Sequence, residues 1–343
     1  MNHAMSKRER VQAAIAGREV DRLPISLWGH DFEREWSAED LTDQTLAFAR
    51  RYDLDWVKIN PRFSYLMEAW GGVFLPMRNS DKEVSRPPRL PVRSSDDLAR
   101  LHPVSPVSPP LAEQLVAARA IVRGLAADRP VVATLFSPLA ILANLVEDES
   151  RPYNFWHNER LKGWFGTARD AVHEALRAIS QTVTQYALEA LNTGIDGFLY
   201  APLGWASYDA CTWPEYEEFG RLYDLPLLSA LSDAEIKILH VCRDNNMLDR
   251  VLDYPVDVFH WDSSGTGNLS LSDATAKTDR ALGGGLSIGL LADGSSHDVR
   301  DAVGSAVRSV GGRRLLLSGS CSVPPRAPEA NLRAAVEALR NPG

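Results

Sequence analysis

A (β/α)8 barrel is the fold class the sequence predicts, and three observations point to it. Eight short runs rich in Val, Ile, Leu and Phe recur along the chain, each bounded by turn residues. The runs lack the apolar–polar alternation of a half-solvated sheet, so they read as strands buried on both faces. Helical patterns fall between them, the order that builds a parallel sheet wrapped by helices. A length of 343 residues suits such a barrel used as one domain, spanning 1–343. A doubly wound open sheet shares the alternation and is the competing architecture.

The strands are predicted in order. The first runs from Leu23 to His30, the second from Asp55 to Asn60, and the third from Val131 to Ser137. The fourth is Gly197 to Ala201, the fifth Lys237 to Cys242, and the sixth Val256 to Asp262. The seventh is placed at Leu286 to Leu291 and the eighth at Arg314 to Ser318. Helices are expected over 42–52, 111–127 and 167–191, the last closed by Asn192-Thr193-Gly194. Further helices are expected over 214–223, opened by Pro214, and over 246–252, 271–280, 298–310 and 329–340. A stretch from about 74 to 110, rich in Pro, Arg and Ser, interrupts the repeat between strands two and three. Long excursions of this kind serve as lids or binding loops. A second insertion is read over 139–166, with Trp156, His157 and Trp164.

Composition narrows the function classes. Lys plus Arg number 37 and Asp plus Glu 45, a formal net charge of −8, which argues against nucleic acid as the main partner. No apolar run approaches the ~18 residues of a membrane span. The first residues are too polar for a secretory signal. Three scattered cysteines, Cys211, Cys242 and Cys321, do not make a disulfide framework and suit a reducing compartment. The expected location is therefore the cytoplasm.

In such a barrel the C-terminal ends of the strands carry the chemistry. Those ends hold His30, Lys58, Asn60, Ser137, Tyr200, His240, Cys242, His260, Asp262 and Cys321. The sharpest local pattern is His240-Val241-Cys242 at the end of strand five. Positions two apart on a strand share a face, so the imidazole and the thiol converge while Val241 packs away. Cys321, just past strand eight, supplies a second sulfur near the mouth. One His and two Cys suit Zn²⁺ with the fourth position open to a thiol or water. A buried Cys also packs as a small hydrophobe, and a nearby His as a satisfied core group, so spacing alone leaves both readings open.

Other strand-end residues have two readings as well. Asp262 is a base or an orienting carboxylate, or else a turn cap. Lys58 and Asn60 bind an anionic substrate or belong to a solvated loop. Tyr200 donates a hydrogen bond to substrate or covers the core. Gly283-Gly284-Gly285 does not link a strand to a helix, so it is no dinucleotide fingerprint.

Several segments resemble the uroporphyrinogen decarboxylase superfamily. Lys7-Arg8-Glu9-Arg10-Val11 and Gly17-Arg18-Glu19-Val20-Asp21-Arg22-Leu23-Pro24 are similar to its opening helix and its G-x-x-x-D-R-x-P lead into strand one. Phe136-Ser137-Pro138-Leu139 is similar to its strand-three turn. Ile238-Leu239-His240-Val241-Cys242 and Ser318-Gly319-Ser320-Cys321-Ser322-Val323-Pro324-Pro325 resemble the HxC strand and the G-C-x-x-P turn of its zinc-dependent corrinoid:thiol methyltransferase branch.

The resemblance implies a TIM barrel with an N-terminal helical extension. It also implies Zn²⁺ on His240, Cys242 and Cys321, and a thiol that takes a methyl group from a corrinoid held by a partner protein. Asp262, Tyr200 and His30 are then the catalytic candidates. Asn60, Lys58, Arg34, Arg243 and Ser137 are the candidates for substrate binding. Arg243 stands where that branch commonly has Gly, and offers a handle for an anionic substrate. The decarboxylase branch grips its substrate with two arginines after strand one, where this chain has Gly29 and Glu33, with Arg34 one residue out of register. Two alternatives stand beside methyl transfer. One is a metal-independent decarboxylase, with Asp262 or His30 managing the proton and Arg34 or Arg243 holding a carboxylate. The other is a non-catalytic tetrapyrrole- or corrinoid-binding protein.

Overall fold

The structure is a computed structural model that describes residues 4–76, 89–148 and 158–340. Trp156, His157 and residues 77–88 of the long excursion lie outside the described residues.

Eight strands form one parallel sheet: β1 (Ile25–Ser26), β2 (Val57–Ile59), β3 (Val131–Phe136), β4 (Gly197–Ala201), β5 (Ile236–Val241), β6 (Val258–Trp261), β7 (Ala281–Leu286) and β8 (Leu315–Gly319). Their order is β1-β8-β7-β6-β5-β4-β3-β2, a nearly closed barrel with its seam between β1 and β2. Helices α1 (Lys7–Ile15), α2 (Ala38–Arg51) and α3 (Tyr65–Glu68) precede α4 (Pro109–Gly124), α5 (Pro138–Leu145), α6 (Glu159–Thr167) and α7 (Arg169–Leu191). Then come α8 (Trp213–Tyr216), α9 (Leu222–Ala230), α10 (Leu271–Thr275), α11 (Ile288–Asp293), α12 (Ser296–Ser309) and α13 (Glu329–Arg340). Among the described residues no helix is long and apolar enough to cross a membrane.

Local chemistry sets the helix starts. Ser6 with Glu9 and Ser295 with Asp298 form capping boxes at α1 and α12, each satisfying orphan backbone N–H groups. The strand runs lie in the apolar core, with Phe198, Leu239, Val258 and Leu315 essentially inaccessible. A π-helical turn over Glu217–Arg221 joins α8 to α9, so the helix expected over 214–223 continues to Ala230.

The first strand, expected over 23–30, narrows to Ile25–Ser26, and the helix expected over 271–280 ends at Thr275. Two expected elements differ in kind. The seventh strand is Ala281–Leu286, and Ile288–Asp293, read as strand from its apolar run, is helix α11. The strand contains Gly283-Gly284-Gly285, whose missing side chains erase the hydrophobic signal. A Cβ on Gly284, at φ +106°, would lie 2.5 Å from the Trp261 carbonyl oxygen, so the neighbouring strand leaves room for glycine alone. The helix expected over 246–252 is a single 3₁₀ turn at Leu248–Arg250. Asn246 and Asn268 side chains bond the backbone there and compete with helix formation.

The D-R-x-P motif closes the seam at the base of the barrel. Asp55, fully buried, accepts bonds from Arg10 Nη1 (2.7 Å), Arg22 Nη1 (2.6 Å) and Nη2 (2.8 Å), and the Ile25 N–H (2.9 Å). The Asp55 N–H in turn donates to the Ile25 carbonyl at 2.9 Å. Arg10 also pairs with Asp21, which holds that carboxyl at about 2 against the opposing effect of burial.

Candidate metal centre

The end of β5 delivers His240 and Cys242 to the barrel mouth, and the turn after β8 delivers Cys321. One ligand atom from each lies within 4.8 Å of the other two. His240 Nε2 stands 2.8 Å from Cys242 Sγ. Val241 is fully buried on the opposite face, as strand alternation requires. The Cys321 thiol is held well below its ordinary value chiefly by a hydrogen bond with Cys242, against the raising effect of burial. Two sulfurs and one imidazole nitrogen are a donor set that suits zinc, with room in the coordination sphere for one more ligand.

The three side chains form one wall of a cavity of about 70 Å³. Trp28, Pro61, Phe63, Phe136, Leu199 and Leu203 make its apolar walls. Lys58, buried at 7 % exposure, is the Lys or Arg among its lining residues. Its ammonium binds Asn60 Oδ1 and sits 5.3 Å from the Trp28 ring centroid. Burial pulls the Lys58 amine down to about 7, although the neighbouring sulfurs and Glu35 oppose the shift. Asn60 is fixed by donating to the Gly29 carbonyl at 3.0 Å. His30 lines the same cavity, and its Nδ1 lies 2.7 Å from Glu35 Oε2. An ionised carboxylate only accepts, so Nδ1 carries the hydrogen and Nε2 is left as the acceptor.

The structure thus brings His30, Lys58, Asn60, His240, Cys242 and Cys321 together and leaves other candidates outside. Arg34 is half-exposed beside Asp40 (3.6 Å), along an outer groove rather than the cavity. Arg243 is exposed at φ +76° and points no charge into the lining. Ser137 caps α5, accepting from the Ala140 N–H at 3.1 Å. Asp262 caps the turn after β6, accepting from the Ser264 N–H (3.0 Å) and from Ser320 Oγ (3.2 Å), one residue before Cys321. Trp28 lines the cavity, whereas Trp56 and Trp205 are wholly buried.

Tyr200 faces away from the cavity because its strand neighbours Leu199 and Ala201 take the inward positions. Its hydroxyl donates to buried Asp224, which also accepts from Tyr216 (2.7 Å) and Tyr254 (2.9 Å). Burial raises the Asp224 carboxyl to about 6, although the three tyrosine bonds pull it down. The folded value lies above the unfolded one. The stability linked to protonation is therefore complete below about pH 4 and lost as pH rises through about 6. The gap corresponds to roughly 3 kcal/mol. Urea unfolding of the native chain and Asp224→Asn should show the native chain losing about that much, relative to the variant, between pH 4 and 7. A difference that is flat with pH would contradict the assignment.

Residue reasoning gave no role to Glu35, which follows His30 by five positions with no motif to mark it, nor to the walls Phe63 and Phe136. A signal for His260 was present. Leu239-His240-Val241-Cys242 and Phe259-His260-Trp261-Asp262 align strand for strand, and the two histidines pair across β5 and β6.

The profile of the uroporphyrinogen decarboxylase (URO-D) family matches residues 6–342. No curated protein sequence matches the chain. Among solved structures, a methyltransferase from Methanosarcina mazei is similar at 18% identity and a TM-score of 0.79, covering 98% of each chain. A B12-independent methionine synthase from Shewanella sp. W3-18-1 is similar at 12% identity and a TM-score of 0.56, covering 93% of this chain and 96% of that one. A putative vitamin-B12-independent methionine synthase from Listeria monocytogenes follows at 11% identity and 0.52, covering 88% and 86%. At these identities the likeness is one of fold. With the family profile spanning nearly the whole sequence, the chain belongs to the uroporphyrinogen decarboxylase (URO-D) family.

Proposed function

We propose that the protein is a zinc-dependent methyltransferase that moves a methyl group, from a corrinoid or another donor, to the sulfur of a small anionic thiol. The observation that carries the reading is the convergence of two sulfurs and one imidazole within 4.8 Å at the wall of a small apolar cavity. His240, Cys242 and Cys321 would hold the ion. When bound, zinc supplies the positive charge that keeps a thiol as thiolate, the nucleophilic form, at neutral pH.

The remaining roles belong to the chain's own side chains. The Phe63, Phe136, Trp28 and Leu203 walls exclude water and so strengthen each charge inside. His30, with Nδ1 committed to Glu35, takes the thiol proton at Nε2. Lys58 pairs with the anionic end of the acceptor, oriented by Asn60. The acceptor sulfur forms its bond to the methyl carbon as the carbon–donor bond breaks, and the donor keeps that electron pair. Among the described residues the cavity lining has one Lys and no Arg, which disfavours a substrate with many carboxylates, and about 70 Å³ is too small to enclose a tetrapyrrole.

The test is incubation of zinc-loaded protein with methylcobalamin and 3-mercaptopropionate. The S-methyl product and the demethylated corrinoid spectrum are expected together. Turnover that survives complete chelation of the metal, or zinc-loaded protein that methylates no thiol from any donor tried, would overturn the reading.

Lys58→Met gives a second check. A hydrogen bond to a charged group contributes about 1.5–3 kcal/mol, so 3-mercaptopropionate should bind on the order of 10–100-fold more weakly. An uncharged thiol of the same length should be affected far less. In the native chain, binding of the anionic thiol should weaken as pH rises past about 7, where the Lys58 amine loses its proton. Equal losses for the two thiols would remove Lys58 from the anion role.

A further inference from the structure

Two features play no part in the chemistry above: the histidine at the end of β6, and the three glycines of β7. The structure places them against each other and against the metal centre.

His260 is essentially inaccessible, at 1 % exposure. Its Nε2 lies 3.1 Å from the Gly319 carbonyl oxygen and 3.0 Å from Ser318 Oγ. A carbonyl oxygen only accepts, so Nε2 carries the hydrogen. Burial denies the ring a second proton, so Nδ1 carries a lone pair. That Nδ1 faces His240 Nδ1 at 2.7 Å. Two lone pairs cannot meet at that distance, so His240 donates from Nδ1. In the neutral ring that is the single hydrogen, which leaves Nε2, the atom 2.8 Å from Cys242 Sγ, as the acceptor.

The His260 ring is held on several sides. The Trp28 ring centroid is 5.4 Å away and that of His240 4.8 Å. Across the sheet His260 pairs with Gly283, where a Cβ would come within 2.9 Å of His260 Cδ2. The missing side chain of Gly283 thus leaves the space that this ring occupies. Gly319, which takes the His260 hydrogen, stands two residues before Cys321, so the end of β8 positions the nitrogen and a sulfur of the same centre.

We infer that His260, seated on the glycine strand, is a positioning residue that locks His240 in its Nδ1–H tautomer and aims the Nε2 lone pair at the two sulfurs. Its effect on metal affinity rests on the zinc reading above, whereas the tautomer does not. The locked form is the reverse of the Nε2–H form that predominates for a free histidine side chain in water. The general reason for such a partner is that a ligand imidazole with its other nitrogen already bonded loses no orientation on binding.

The test has a metal-free arm and a metal arm. Metal-free protein labelled with ¹⁵N-histidine reports each ring's tautomer through two-bond ¹H–¹⁵N correlations. Signals are assigned with His240→Gln and His260→Asn. His240 protonated at Nδ1 and His260 at Nε2 are expected; His240 protonated at Nε2 overturns the inference.

In the metal arm, Zn²⁺ affinity is measured by competition with a chromophoric chelator, with thermal melts alongside. His260→Phe should bind about 10–100-fold more weakly. His260→Asn, whose amide oxygen can still accept from His240 Nδ1, should recover most of the loss. Gly283→Ala should weaken binding in the same direction by crowding the ring. Native affinity in His260→Phe overturns the positioning role. If His260→Phe does not fold, the spectrum of the native protein decides alone. A native protein that takes up no zinc overturns the metal reading and leaves the tautomer result standing.

Discussion

Cys242→Ser should bind zinc about 10²–10³-fold more weakly than the native chain. A structural zinc site is worth about 10–16 kcal/mol at neutral pH, or roughly 2.5–4 kcal/mol for each of four ligands, and a hydroxyl does not replace a thiolate. Cys321→Ser should show a loss of the same order, because the two sulfurs and the His240 nitrogen lie within 4.8 Å of one another. Cys211→Ser is the internal control. Its sulfur donates to the Trp205 carbonyl at 3.2 Å, and burial pushes its thiol up to about 12. It should leave zinc affinity unchanged. Competition with a chromophoric chelator reads all three variants, and full affinity in Cys242→Ser would contradict the ligand set.

Asp55→Ala should destabilise the fold by about 3–5 kcal/mol, read as a lower urea midpoint with an unchanged slope. The carboxylate is fully buried and satisfies two guanidiniums and the backbone N–H of Ile25. Removing it takes the paired carboxylate from Arg22, leaves Arg10 with Asp21 alone, and strands an amide hydrogen at the start of β1. Because β1 and β2 are the two ends of the strand order, the loss falls where the barrel is least closed. Asp55→Asn keeps an acceptor and should lose less. A native-like midpoint in Asp55→Ala would mean that the seam is held by packing alone.

Strand positions were legible where side chains carry the signal. β4 falls on the expected residues, and β3, β5 and β8 differ at their ends by one residue, because continuous apolar runs marked them. Expected and observed strands disagree at β7, where close approach of β6 demands glycine and no apolar residue remains to be counted. The run after it, Leu286 to Leu291, is apolar for a different reason: it begins a helix that packs toward α12 and α13.

The convergence of His240 and Cys242 was legible because strand alternation puts positions 240 and 242 on one face. Tyr200 sat at a strand end too, but one position out of phase, and alternation turned it toward Asp224 instead. Ser137 and Asp262 also occupy strand ends, yet their short side chains are taken by the caps of the segments they begin. Glu35 was hidden because its contact with His30 depends on the path of the loop between them.

The most direct test of the account is X-ray absorption at the zinc edge, with elemental analysis, on protein dialysed against a buffered zinc solution. About one zinc per chain is expected, with two sulfur and one imidazole nitrogen neighbours from Cys242, Cys321 and His240 and a fourth position exchangeable with an added thiol. Protein that retains no zinc, or zinc surrounded by oxygen and nitrogen alone, would contradict it.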